Sequence, residues 1–64
     1  MKAIDAIEAS RERNEIIHLG ESDITEDDTL TLLSECTDHT DTQHGAEYWG
    51  SGWRVHIDRE GGAA

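Results

Sequence analysis

The first apolar positions of the chain fall at helical spacing. In KAIDAIEASRER, residues 2–13, Ile4 and Ile7 with Ala3 and Ser10 form one stripe, and the remaining positions are mostly polar. The pattern predicts an opening helix. Arg11 and Arg13 sit in its last turn, where cations complement the carbonyl end of the dipole, and Asn14 is the predicted stop. EIIHL, residues 15–19, is short and rich in isoleucine, so it reads as a strand ended by Gly20. The competing reading continues the first helix through it.

Residues 25–37 carry two patterns at once. Thr25 with Asp28 three positions later makes a capping box, with Asp in place of the preferred Glu. Glu26, Asp27 and Asp28 suit a first helical turn, and Leu30, Leu33 and Thr37 follow a helical stripe. Against this, TLTLL alternates and is rich in threonine, which favours a strand. Helix is the preferred reading. DHTDTQHG, residues 38–45, reads as a polar loop.

The strongest local pattern is AEYWGSGWRVHID, in which two aromatic and β-branched runs flank a glycine-rich centre. It predicts a hairpin. A two-residue type II′ turn at Gly50-Ser51 pairs Tyr48 with Trp53 and Ala46 with Val55. A turn at Ser51-Gly52 leaves the same faces. Either way Ala46, Tyr48, Trp53, Val55 and Ile57 share an apolar face, and Glu47, Trp49, Arg54 and His56 share the other. The expected fold class is α+β: one or two helices packed on a small antiparallel sheet of two or three strands that contains this C-terminal hairpin. Residues 1–64 are expected to form one domain, with 61–64 a frayed tail.

Size makes that domain marginal. A chain of 64 residues hides only about 60% of the surface that its unfolded form exposes. The lone Cys36 rules out an intrachain disulfide and suits a reducing compartment. No apolar run resembles a signal peptide or a membrane span. A soluble, cytoplasmic protein is expected, in the host cell if the source is a phage. A homodimer through the sheet face or edge is the alternative to a monomer, because so short a chain gains from added burial.

Formal net charge is −10. Disorder is a common consequence of such charge, but two tryptophans, one tyrosine and no proline argue for a folded core. The first 13 residues and the last 11 are each balanced. Residues 14–53 hold acids and no Lys or Arg, so the whole net charge belongs to that block. Its densest part is ESDITEDD, with Glu21, Asp23, Glu26, Asp27 and Asp28.

Chemistry-bearing constellations are few. Cys36, Asp38, His39, Asp41 and His44 crowd together, but C-x2-H-x4-H lacks the second cysteine pair of a zinc finger, so no metal and no cofactor is expected. No motif surrounds Cys36 and no glycine-rich phosphate loop is present, so an enzyme is not expected. Direct nucleic-acid binding needs clustered cations, whereas the five here are scattered at the two ends. The four histidines read as surface groups more readily than as pH sensors. Trp49 is either covered by another element or an aromatic anchor in an interface.

Three readings of the acidic block compete. It is a solvated face that gives solubility, an adaptation to high salt, or a surface for a basic partner. The third brings a resemblance. In length, acidity and α+β pattern the chain resembles the small acidic inhibitors of host defence encoded by phages and mobile elements, of the anti-CRISPR and DNA-mimic antirestriction kinds. The resemblance implies a non-enzymatic protein that binds a basic nucleic-acid-binding surface of a defence effector and blocks DNA binding or nuclease recruitment. Its contact surface would lie on Glu21, Asp23, Glu26, Asp27, Asp28, Glu35, Asp38 and Asp41, with Trp49 as an anchor. The alternative is an antitoxin-like or accessory subunit that neutralises one basic protein.

Overall fold

The computed structural model describes residues 1–59; the tail expected at 61–64 lies outside the described residues. The elements are α1 (Ala3–Arg13), β1 (Ile17–Gly20), a 3-10 turn (Glu21–Asp23), α2 (Glu26–Glu35), β2 (Asp38–Thr42), β3 (Gly45–Gly50) and β4 (Trp53–Asp58). Two helices cover one face of a sheet ordered β1-β4-β3-β2, so the α+β class holds. The sheet is larger than expected and mixed. β2, β3 and β4 run antiparallel, but β1 joins β4 in parallel, with Ile17 opposite Val55 and Leu19 opposite Ile57. No local pattern announces a parallel partner 38 positions away, because the pairing is made only after α2 and β2–β3 have crossed over.

α1 stops where the sequence reading placed the stop. Asn14 adopts a left-handed conformation at φ 55° and its backbone N–H donates to Ser10 O. The buried stripe differs from the expected one. Ala3, Ala6, Ile7 and Ser10 face the sheet, while Ile4 is half exposed. Small residues let the helix approach β4 closely, and that approach turns Ile4 outward.

α2 settles the ambiguity of residues 25–37 in favour of helix. Thr25 Oγ1 accepts the Asp28 N–H, and the Asp28 carboxylate accepts the Thr25 N–H, so the capping box closes in both directions. The expected apolar stripe is again displaced. Leu32 is fully buried, Leu30 and Leu33 are exposed, and Thr37 lies past the helix end. α2 packs mainly on α1, so the side that faces α1 is the buried one, and the leucines at 30 and 33 point elsewhere.

DHTDTQHG is not a loop. Its first five residues form β2, an edge strand almost wholly exposed. Edge position explains why the strand shows no apolar alternation: neither of its faces is closed off. Gly45 then starts β3 at φ 152°, with a Cβ there colliding with the Ile57 carbonyl. The hairpin turn is Ser51-Gly52, not Gly50-Ser51. Tyr48 pairs with Val55 and Ala46 with Ile57, and the positive φ of 78° falls on Gly52, the second central residue. The faces are as expected. Trp53, Val55 and Ile57 are buried with Ile17, Leu19, Ile7 and Leu32, and Tyr48 packs half-buried at the margin.

Candidate functional site

Helices cover only the face that carries Val55. The other face of the sheet is bare, and its side chains form three lateral rows: Asp38, Trp49 and Arg54; Thr40, Glu47, His56 and His18; Thr42, Gly45, Asp58 and Gly20. Trp49 is therefore not covered by a helix or by β1; it stands half-buried among its row neighbours. Two acids of this face, Glu47 and Asp58, lie beside basic side chains, whereas Asp38 has no ion pair among the described residues. His56 Nε2 lies 3.2 Å from Asp58, and His56 Nδ1 lies 3.7 Å from Glu47. Arg54 is 3.7 Å from Glu47, and His18 is 3.7 Å from Asp58, with the two imidazole centres 5.3 Å apart. Hairpin parity makes Glu47, Trp49, Arg54 and His56 neighbours in the sequence itself. His18 and Asp58 join them only through the parallel pairing of β1.

The acids of ESDITEDD lie elsewhere, at one end of the molecule. β1 ends at Gly20 beside Asp58, and Asp58 pairs with Gly45. The 3-10 turn and the first turn of α2 cap this end, and Glu21, Gly45 and Arg59 line one small hollow there. Glu21, Asp23, Glu26 and Asp27 are exposed, and none forms an ion pair among the described residues. Lys2 and Arg59 are the cations of this end, and among the described residues neither forms an ion pair with them. We call this region the acidic pole.

Asp28 has a different role. Besides closing the capping box, its Oδ1 accepts the Ala3 N–H at 3.0 Å. α1 has no side-chain cap of its own, because Lys2 occupies its N-cap position. One carboxylate thus receives orphan N–H groups from the starts of both helices. These bonds, the one from Ala3 first, hold its pKa below the ordinary carboxylate value.

The remaining candidates are spread out. Glu35 ends α2, about 14 Å of helix away from Glu26. Thr37 N–H donates to Trp49 O, which puts that end of α2 beside the hairpin and far from the pole. Asp38 lies on the bare face, where its carboxylate accepts the His39 N–H of its own edge strand. Asp41 pairs with Ala46 and so belongs to the helix side, with His39 stacked on Tyr48 at 5.6 Å. Burial, and secondarily Asp41 and Cys36, push the Tyr48 phenol above its ordinary pKa. The nine candidate residues therefore do not make one surface. Glu21, Asp23, Glu26 and Asp27 gather at the pole, Asp28 is structural, Glu35, Asp38 and Trp49 belong to the hairpin end, and Asp41 lies on the helix side of β2.

Cys36, Asp38, His39, Asp41 and His44 are not gathered into a centre. Cys36 closes α2, while Asp38 and His39 point to opposite sides of β2. Among the described residues no group of three or more His, Cys, Asp or Glu is placed to hold a metal ion. No helix among them is long and apolar enough to cross a membrane. Sequence reasoning missed the exposed Leu30 and Leu33. Leu30 follows Glu26 by one turn and Leu33 follows by two, so acid and leucines share the outer stripe of α2. Compared with known proteins, the chain matches no family model, no curated protein and no solved structure.

Proposed function

We propose that this protein is a non-enzymatic inhibitor. It binds a basic, nucleic-acid-binding surface of a host-defence effector, of the CRISPR-Cas kind, through the acidic pole. The observation that carries the reading is the separation of charge. On the bare sheet face Glu47 and Asp58 lie beside Arg54 and the histidines, whereas Glu21, Asp23, Glu26 and Asp27 are exposed, adjacent and without an ion pair among the described residues. Asp28 already serves the helix starts, so the other four acids are surplus to capping. Such a cluster weakens the fold by self-repulsion and speeds encounter with a cationic surface. Leu30 and Leu33 beside it supply apolar area of the kind found at interface centres, with acids as the rim.

The same leucines favour the second reading, an antitoxin-like or accessory subunit that neutralises one basic protein. Competition separates the two, because an inhibitor that occupies the nucleic-acid site is displaced by DNA and a plain subunit is not. The test captures partners from a candidate host lysate at low and moderate salt and identifies them. The purified partner is then challenged with target DNA and with the Glu21, Asp23, Glu26, Asp27→Lys variant. Loss of binding in that variant, with retention in Glu35→Lys/Asp38→Lys, is expected. Binding that survives the fourfold reversal overturns the acidic pole as the contact surface.

A further inference from the structure

β2 is an outer strand of the sheet, and its residues Asp38, His39, Thr40 and Asp41 are exposed. In an antiparallel ladder, alternate residues turn both of their backbone groups to the same neighbour. Thr42 and Gly45 close the turn at Gln43-His44, and Trp49 O accepts the Thr37 N–H, so Gly45, Glu47 and Trp49 serve β2. Their partners Thr42, Thr40 and Asp38 therefore face β3, and His39 and Asp41 turn their N–H and C=O groups to the open edge. Close neighbours in sequence occupy part of that edge. The Asp38 carboxylate accepts the His39 N–H at 2.8 Å, and the Thr40 hydroxyl donates to Asp41 O at 3.4 Å. His39 O and the Asp41 N–H have no protein partner among the described residues.

We propose that two copies of this chain join through β2, antiparallel about a two-fold axis at Thr40. Outward groups meet in registers centred on His39, Thr40 or Asp41. A centre at His39 sets imidazole against imidazole, and a centre at Asp41 sets acid against acid. With the centre at Thr40, His39 lies opposite the partner's Asp41, and Asp38 lies opposite the partner's Thr42. Backbone groups of His39 are then exchanged with those of the partner's Asp41, in place of the bonds to Asp38 and Thr40. The imidazole and the facing carboxylate stand on the same side of the joined sheet. Opposite-charge and hydrogen-bonding pairs across strands stabilise and like charges directly opposite destabilise, so the strand is complementary to itself in this register. The two-fold axis makes the His39–Asp41 pair twice. Overall charge favours the same orientation. The acidic pole lies at the Gly45 end of β3, beside Thr42, so an antiparallel contact sets the two poles at opposite ends of the joined sheet. A chain this short gains from the added burial. The contact does not rest on what the pole binds.

Sedimentation of the intact protein up to about 1 mM, in about 0.15 M sodium chloride where the Debye length is about 8 Å, measures the association. A monomer–dimer equilibrium with Kd on the order of 0.1 mM is expected for so small and polar a contact. Amide hydrogen exchange locates it. Rising concentration should slow exchange of the Asp41 N–H, while the N–H groups of Thr40 and Thr42, which face β3, show that the strand itself is intact. His39→Asp sets acid against acid, and His39→Lys/Asp41→Lys sets lysine against lysine. Each alone should weaken the dimer about tenfold or more, and an equimolar mixture should recover it as a heterodimer. A parent chain that stays monomeric, a dimer whose Asp41 amide still exchanges freely, or variants that associate as the parent does overturns the proposal.

Discussion

Ser10 shows how much one side chain carries in a domain this small. It is 1% exposed and is the one buried polar residue among the described residues. Its hydroxyl accepts the Arg54 N–H and has two carbonyls in reach, Glu15 O at 2.7 Å and Arg54 O at 3.0 Å. It therefore ties the end of α1 to β4 at the point where β1 is missing. Ser10→Ala keeps the helix propensity and leaves buried backbone groups without partners, a loss of about 1–3 kcal/mol. For a chain near this length that lowers Tm by roughly 4–8 °C per kcal/mol, measurable by thermal unfolding. An unchanged Tm would mean that water replaces the hydroxyl.

At the scale of elements, Asp28 makes the two helix starts one unit. Its lowered pKa gives this link a pH dependence of defined sign. A carboxylate whose folded pKa lies below its unfolded value stabilises fully above the ordinary carboxylate pKa of about 3.9, and that stability disappears as pH falls through the lowered value. Asp28→Asn should therefore be less stable than the parent at pH 7, and the difference should shrink below about pH 4. Protonation of the other acids affects both proteins alike, so the difference in urea midpoint between pH 7 and pH 3 isolates Asp28. A constant difference would mean that the bond geometry matters and the charge does not.

At the scale of the molecule, charge is unevenly placed. The pole holds Glu21, Asp23, Glu26 and Asp27 without ion-pair partners among the described residues, while Arg11, Arg13 and Arg54 belong to the opposite end: Arg11 Nε donates to Ser51 O at the hairpin turn. Added salt screens the repulsion within the pole, so Tm should rise by a few degrees between about 0.01 M and 1 M sodium chloride, where the Debye length falls from about 30 to 3 Å. The fourfold Lys variant of the pole should show a smaller rise. An equal rise in both would place the repulsion elsewhere, among acids such as Glu8, Glu12 and Glu15.

Local signals were legible wherever the physics is local. Asn14 ends α1 because a short polar side chain tolerates a left-handed conformation, and Thr25 with Asp28 starts α2 because both bonds of the box close within three residues. Hairpin parity assigned Trp53, Val55 and Ile57 to the core side because side chains alternate with period two whatever the turn. The charge of the pole is likewise written in the sequence, since its four acids are nearly consecutive. Only the tertiary structure decided which side of each helix is buried, that DHTDT is a strand, and that β1 lies parallel to β4. Each of these depends on a partner distant in sequence: α1 selects Leu32 over Leu30 and Leu33, β3 pairs an edge too polar to reveal itself, and Val55 and Ile57 receive Ile17 and Leu19. The unpaired edge of β4 at Trp53 and Arg54 follows from the same cause, because β1 begins only opposite Val55.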